Sequence, residues 1–418
     1  MKTRLNVAVA FAACILAASL TAAAENEALS LEDCLRLALE KNPTILAAQE
    51  NNRAAEARVQ QARTIPQPSL DYDSDMQEGV GNINDPGETY LGLSTTLEFP
   101  GRRGLRIDIA DLERAEGLAD YATTRLDLEL DVKTAFSALL LEQKKLEYAT
   151  SNLELVEGLV GLARTRVETG DVGKVEVLRA QVELASAGNA LRSAETSVQI
   201  AAANLALLIG KDPSEQIVTR GDPPLPEVLP DLVSASRIAM ESRPEILVLQ
   251  TALEREALVE KQAKKGRLPD LDIGVARHWI DGEGSFWDVT LSVPLPIFQQ
   301  QFNGEIAEAR ANQRAIDHEL AYLKARVALE VKATHSQALA ARDRVDLYSG
   351  TLLEEAKEVY EMYVFSYEHG EINGLELNAA RSSLVETYTE FAQATYDYSV
   401  AVATLQRAIG QESEGVQP

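Results

Sequence analysis

The chain has 418 residues, 65 acidic against 40 basic side chains and a formal charge of −25. Such an acidic balance argues against nucleic acid as a partner, because phosphates need basic patches, and suits a solvated acidic surface or the lining of a water-filled tube. Alanine is abundant and aromatics make up only 5% of residues, a composition of closely packed long helices rather than of a large mixed core.

Residues 1–24 place Lys2 and Arg4 before an apolar run from Val7 to Leu20 and the small-residue ending Ala22-Ala23-Ala24. This pattern predicts an exported chain with a signal peptide cleaved after Ala24. Losing Lys2 and Arg4 takes the charge from −25 to −27. Cys14 raises the alternative of a lipid anchor, but Phe11-Ala12-Ala13 is a poor match to the box before a lipidated cysteine and lies inside the apolar run. Cys34, the other of the two cysteines, then has no intramolecular partner in the mature chain and reads as a buried thiol.

Ser30-Leu31-Glu32-Asp33 is a capped helix start. Apolar positions from Leu31 to Val59 keep a spacing near 3.6 until Pro66 and Pro68, with a kink or break expected at Pro43. The period then changes to two. Strands are predicted over about 69–77 and 88–99, with Leu70, Tyr72, Leu91, Leu93 and Leu97 opposing Asp71, Asp73, Ser94 and Thr96. A helix over 102–167, uninterrupted by proline, leads to the turn Glu168-Thr-Gly-Asp-Val-Gly173. A second helix over 174–209 returns to Gly210, and the Pro-rich, acidic segment 211–230 reads as an equatorial linker.

Residues 231–410 repeat this plan. A helix precedes strands over about 270–280 and 285–295, in which Leu271, Ile273, Val275, Trp287, Val289 and Leu291 oppose Asp272, Gly274, Asp288 and Thr290. Tyr90, Trp279, Phe286 and Trp287 stand near strand ends as interface aromatics. A helix over 302–367, the turn Glu368-His-Gly-Glu-Ile-Asn-Gly374, a helix over 374–409 and the tail 411–418 complete the chain. The correspondence is residue by residue. Ala38/Ala239, Pro43/Pro244, Pro68/Pro269 and Asp71/Asp272 keep an offset of 201, and Gly170/Gly370, Glu176/Glu376, Ile209/Ile409 and Gly210/Gly410 one of 200. Residues 25–210 and 231–410 are therefore a tandem duplication.

Each alternating run has the length of a tilted membrane strand, and no stretch after the leader is long and apolar enough for a membrane helix. An ordinary half-buried strand on a soluble sheet is the competing reading of any single run. Four matched runs in hairpins at duplicated positions favour the membrane. Four strands leave two edges that lipid cannot satisfy, so copies must associate. Two copies would give about eight strands with a filled interior, whereas three give about twelve and an open lumen. The long helices, each roughly 100 Å at 1.5 Å per residue, would continue the tube as a helical barrel. The expected fold is mainly α with membrane β: a conduit, not an enzyme.

The motif Gly170-Asp-Val-Gly-Lys-Val-Glu-Val-Leu-Arg-Ala-Gln181 and the paired endings Ala203-Asn-Leu-Ala-Leu-Leu-Ile-Gly210 and Ala403-Thr-Leu-Gln-Arg-Ala-Ile-Gly410 resemble the TolC-like outer-membrane efflux family. The resemblance runs from Leu29 to Gly410. It implies a homotrimer with a twelve-stranded β-barrel in the outer membrane of a Gram-negative bacterium, four strands per protomer, in contact with membrane lipid. The α-helical barrel would lie in the periplasm. It also implies a periplasmic adaptor (membrane fusion) protein and an inner-membrane efflux pump of RND type as partners, with no cofactor. Leu97-Glu-Phe-Pro-Gly-Arg-Arg-Gly104 and Val293-Pro-Leu-Pro-Ile-Phe-Gln-Gln-Gln-Phe-Asn-Gly304 are similar to the heavy-metal, CzcC-type branch, although Pro100 replaces a glycine usual there. That branch implies export of cations such as cobalt, zinc or cadmium. Conduits for drugs or type I secreted proteins are the alternative within the family, and a non-conducting periplasmic scaffold or adaptor is the alternative outside it.

The four histidines, His278, His318, His335 and His369, have no ligand partner at helical spacing and accompany no Cys or Met cluster, so no bound metal is expected. His369 reads as a solvated turn residue. By the same resemblance Glu176 and Glu376 are gate candidates that would ring the narrow mouth, against the plainer reading of helix-start acids. Tyr367 matches the family's gate tyrosine, while Ile372 stands where some members carry a gate arginine. The turn residues Gly170, Asp171, Val172 and Gly173, with Gly370, Glu371, Ile372 and Gly374, are the adaptor-contact candidates, with Val172 and Ile372 expected to be exposed beside the acids.

Overall fold

The computed structural model describes residues 28–76, 86–215, 217–221, 225–226, 228–280 and 282–412. The expected signal peptide, most of the Glu78–Gly87 turn and most of the tail lie outside the described residues.

The first helical stretch is two helices, α1 (Leu31–Lys41) and α2 (Pro43–Arg63). The Ser30 hydroxyl accepts from the Asp33 amide at 3.2 Å, and the Ser30 amide donates to the Asp33 carboxylate at 3.2 Å, a reciprocal capping box. Asn42 is extended, at φ −65° and ψ 126°. The ring of Pro43 disfavours the α conformation in the residue before it, so the break expected at Pro43 is complete.

Strands β1 (Ser69–Met76) and β2 (Pro86–Leu97) form one antiparallel hairpin. Helix α3 (Arg102–Glu168) is continuous for 67 residues, and α4 (Lys174–Leu208) follows the first turn. The second repeat breaks in the same way as the first. Helix α5 (Leu232–Ser242) ends at the extended Arg243, at φ −68° and ψ 121°, and α6 (Pro244–Gly266) starts on a proline. Strands β3 (Leu271–Ile280) and β4 (Gly284–Ser292) form the second hairpin.

The sheet order is β1-β2-β3-β4, so the two hairpins join through β2 and β3. Register places Leu70 opposite Leu93, Leu93 opposite Val275 and Val275 opposite Val289, a row of apolar residues across one face. That face is exposed. The other face carries Asp71, Gly92, Ala276 and Asp288 in one row and Thr96 with Asp272 and Ser292 in another. Gly92 is needed because an added β-carbon would lie 2.6 Å from that of Ala276. Trp279 and Trp287 share the apolar face as expected, but Tyr90 and Phe286 do not. Both pair with His278 and so face the polar side, since opposite residues of antiparallel strands share a face.

The strands end earlier than their alternation suggests. The Phe99 amide donates to Asp270 at 2.7 Å instead of continuing the ladder, and Pro294 and Pro296 cannot donate to one. No helix among the described residues is long and apolar enough to cross a membrane.

The second long helix is interrupted, which the absence of proline did not foretell. Helix α7 (Gln300–Leu347) passes through a π-helical segment, Tyr348–Leu352, before α8 (Leu353–Glu368), and α9 (Gly374–Ala408) completes the fold. Tyr-Ser-Gly-Thr-Leu combines a glycine with a serine and a threonine, a composition that tolerates a local change of winding.

Turns and helix ends repeat with their geometry. Gly170 and Gly370 both adopt φ +78°, and Gly210 and Gly410 both adopt φ +71°. At each, the following amide bonds back to the last turn: Asp171 to Arg166, Glu371 to Ser366, Lys211 to Ala206 and Gln411 to Gln406, all at 2.9–3.0 Å. This is the glycine-terminated helix end, which satisfies otherwise orphaned carbonyls.

The fold comprises two compact units. In the unit of residues 28–46, 125–242 and 329–412, the duplicated Ile209 and Ile409 are both fully buried with Phe136, Leu139, Leu205 and Leu405. Cys34 is wholly buried there, as expected, and burial pushes its thiol up to about 12. The unit of residues 47–124 and 243–328 holds the sheet, and Val59, Ala62 and Ala110 pack below it with Ile107.

Candidate functional site

The two glycine turns lie within the first of these units, and the helix ends beside them build a small polar and aromatic centre. Arg166, in the last turn of α3, donates to the Tyr367 carbonyl at 3.0 Å, and its guanidinium sits 4.7 Å from the centre of the Tyr367 ring. Tyr367 is buried. Burial raises its phenol above the ordinary tyrosine value, with the charge of Arg166 opposing and that of Glu176 adding to the shift.

Glu176, in the first turn of α4, reaches the same place. Its Oε2 lies 2.5 Å from where a β-carbon on Gly374 would stand, and Arg179 holds its other oxygen at 3.7 Å. Glu376, the duplicate of Glu176, is exposed and differently engaged. It accepts from the side chain of Asn373, whose carbonyl oxygen caps the amides of Leu375 and Glu376 at 2.9 and 3.1 Å. The structure thus brings together Glu176, Tyr367 and Gly374, and leaves Glu376 outside that group.

Of the other turn residues, Gly170, Asp171, Gly173, Gly370 and Glu371 are exposed. Val172 and Ile372 are half-buried, a correction to their expected exposure. Ile372 packs on the cluster of Tyr360, Tyr367, Leu377 and Leu384, because an apolar side chain beside that cluster is better placed under the turn than in water.

Sequence reasoning missed two arginines. Arg166 left no signal beyond a basic residue at a helix end. Arg381 did leave one: it interrupts the apolar row Leu377, Leu384 on α9, and in the structure it is 6% exposed. Its guanidinium donates to the side-chain Oδ1 of Asn152 in α3, to the Oδ1 of Asn378 at 2.8 Å and to Glu183 of α4 at 3.4 Å. Burial pulls it down from its ordinary value, while Glu183 and Tyr360 oppose this. One side chain from the second repeat thereby ties together two helices of the first. Beside it a cleft of about 320 Å³ opens between Val156, Leu159, Val175, Leu178 and Leu375.

On the polar face of the sheet, His278 stands between two carboxylates from neighbouring strands, Glu88 at 3.2 Å and Asp288 at 3.1 Å. Helical spacing had given it no partner, since strand neighbours are set by register. Among the described residues no group of three His, Cys, Asp or Glu side chains is disposed to hold a metal ion. What the geometry provides is an acidic polar surface on the sheet and a set of charged and aromatic contacts at the turns, with no nucleophile and base in working geometry among the residues described above.

Comparison with known proteins agrees with this geometry. The chain is 25% identical over 397 residues to the cobalt-zinc-cadmium resistance protein CzcC of Cupriavidus metallidurans, covering 92% of this chain and 90% of that protein. It is 25% identical over 280 residues to the nickel-cobalt-cadmium resistance protein NccC of Alcaligenes xylosoxydans xylosoxydans, covering 65% of this chain and 61% of that one. The fold matches the solved structure of CusC with a TM-score of 0.77 at 17% identity, covering 91% and 92% of the two chains. The family model for outer membrane efflux proteins matches residues 34–211 and 235–411, one match for each repeat. The chain belongs to the outer membrane efflux protein family.

Proposed function

We propose that this protein is the outer-membrane channel of a tripartite export system, a passive conduit from the periplasm to the outside, and that its cargo is divalent heavy-metal cations such as cobalt, zinc or cadmium. The observation that carries the conduit is the sheet: four strands with one exposed apolar face, one polar face and two unpaired edges, β1 and β4. Edges of this kind cannot face lipid, and three copies would close them into about twelve strands around water. The metal cargo is supported by the likeness to CzcC and NccC and by the acids of the polar face, Asp71, Asp73, Asp272 and Asp288. A cation meets less electrostatic resistance along such a wall than an anion does.

The helical part would project into the periplasm, and the turns around Gly170–Gly173 and Gly370–Gly374 would meet a periplasmic adaptor coupled to an inner-membrane pump of RND type. Glu176, Tyr367 and Glu376 are the proposed gate. The exposed Asp171 and Glu371 are suitable positions for crosslinking. The deciding experiment is deletion of the gene, with cobalt, zinc and cadmium tolerance measured beside sensitivity to organic drugs and protein secretion. Loss of metal tolerance alone, restored by the gene, supports the cation reading. Loss of drug tolerance or secretion with metal tolerance intact replaces it with the other cargo, and a purified protein that forms no conducting pore in planar bilayers removes the channel itself.

A further inference from the structure

At the helix-proximal ends of the four strands the charge of this acidic chain reverses. Arg63 ends α2 two residues before Ile65; Arg102 and Arg103 start α3; Lys265 and Arg267 lie at the end of α6. Arg102 is paired with Asp270 at 2.6 Å, and Arg106 with Glu98. The remaining four are not paired with a carboxylate among the described residues. Arg103 donates to the Arg63 carbonyl, Lys265 to the Pro100 carbonyl at 3.5 Å, and Arg267 to the Asn303 side chain at 2.6 Å, with the Arg267 Nε buried and unpartnered. These contacts run from α3 to α2, from α6 to the turn between β2 and α3, and from the end of α6 to α7, so the cations follow the base of the sheet rather than scatter over the helices.

Helix polarity accounts for some of this, since Arg63 and Lys265 stand in last turns, where a cation is favourable. It does not account for Arg103, which sits in a first turn. Beside these cations the chain exposes large apolar side chains: Ile65 is 67% exposed, Leu295 and Ile297 each 73% and Phe298 83%. Leu295 and Ile297 prolong beyond Ser292 the alternation of the lipid-facing Val289 and Leu291.

We propose that these strand bases form a collar that binds anionic phospholipids of the leaflet nearer the helices, the four unpaired cations taking the phosphodiester headgroups and Ile65, Leu295, Ile297 and Phe298 entering the acyl boundary. Charge complementarity and continuity with the apolar face of the sheet select this occupant. A phosphodiester offers acceptors to several guanidinium and ammonium donors at once, and each basic residue near a membrane surface strengthens attraction to anionic lipid. The inference rests on the sheet spanning the membrane and adds the leaflet, the lipid class and the residues that would select it.

The test uses the full-length protein in detergent, titrated with phosphatidylglycerol or phosphatidylcholine and weighed with its retained lipids by native mass spectrometry. The parent should retain phosphatidylglycerol in clear preference. The variant Arg63→Gln, Arg103→Gln, Lys265→Gln, Arg267→Gln should lose that preference, and Ile297→Ser with Phe298→Ser should lower retention of both lipids alike. Should the fourfold variant fail to assemble, Arg103→Gln alone, at an exposed side chain, should still lower the preference several-fold. Equal retention of the two lipids by the parent, or an unchanged preference in these variants, overturns the collar. Displacement of phosphatidylglycerol by millimolar inorganic phosphate would also overturn it, by making the site one for free anions. A protein that is soluble without detergent would instead overturn the membrane reading beneath it.

Discussion

The carboxylate of Glu176 occupies the space that a side chain on Gly374 would need, with Oε2 2.5 Å from the position of the absent β-carbon. Two residues from different repeats are thus fitted to one another, and a substitution at either should be felt at the other. Gly374→Ala should displace the flexible end of Glu176 rather than the backbone, at a stability cost below about 1 kcal/mol, because alanine also favours the helix by about that amount. In bilayer recordings it should change single-channel conductance, and the change should vanish in a Glu176→Ala background. Additive effects in this double-mutant cycle would show that the two residues do not act together.

Replacing Glu176 and Glu376 together by alanine should weaken cation preference and enlarge conductance, since carboxylates in a narrow aqueous path attract cations more strongly than in bulk water. The difference should shrink in 1 M salt, where the screening length falls to about 3 Å. Loss of helix content with conductance unaltered would instead make both acids helix-start residues and nothing more.

Arg381→Met keeps an unbranched apolar stem, loses the guanidinium and with it the bonds to Asn152, Asn378 and Glu183. Leaving these acceptors without their donor should destabilise the protein by about 2 kcal/mol, read as a lower melting temperature in detergent. Glu183→Gln should cost less, because the Glu183 side chain is 41% exposed and water can replace its partner. If Arg381→Met melts like the parent, the arginine is not what joins α9 to α3 and α4.

Much of this was legible before any coordinates. The duplication, the four strands and the paired Gly170 and Gly370 turns follow from apolar periodicity and from glycine, which are local properties. Strand faces were legible for Leu93 or Val289 but not for Tyr90 and Phe286, which look like interface aromatics until register with His278 puts them on the polar side. The partners of Arg166 and Arg381 were hidden for one common reason: each lies roughly 200 residues away, in the other repeat, and contacts over such distances leave no local trace. The shelter of Ile372 is local, among Tyr360, Tyr367, Leu377 and Leu384, but a turn between two helices has no periodicity to mark a buried face. The π-helical segment at Tyr348–Leu352 was hidden because no proline marks it.

Alkali should loosen the unit that carries the turns. Burial raises the phenols of Tyr148, Tyr360, Tyr367, Tyr396 and Tyr398 above the ordinary value of 10.0. A raised folded-state value means that the folded protein holds these protons more tightly than the unfolded chain does. The stability they support is therefore whole below pH 10 and is lost as pH rises through their folded values. Tyrosinate absorbance at 295 nm and helical circular dichroism should change together above pH 10. Phenols that titrate at the ordinary value with helices intact would contradict this.

Backbone amides of 348–352 should exchange with deuterium faster than those at the corresponding depth of α3, where the helix is continuous. The π winding leaves a weaker hydrogen-bond pattern, and such segments open at low cost. Equal protection along α3 and along α7 through α8 would mean that the interruption is as rigid as the helix around it.

The strand order β1-β2-β3-β4 joins the second strand of one hairpin to the first strand of the next. In the proposed trimer, β4 of one copy meets β1 of its neighbour by the same rule, so a ring of six hairpins contains six seams of one kind. Three lie inside a chain, where the covalent connection keeps the two hairpins together, and three join separate chains. Gene duplication has in effect converted every second subunit boundary into an internal one. Dissociation and subunit exchange therefore have only three seams at which to begin, and a half-length ancestor closing as a hexamer would have had six.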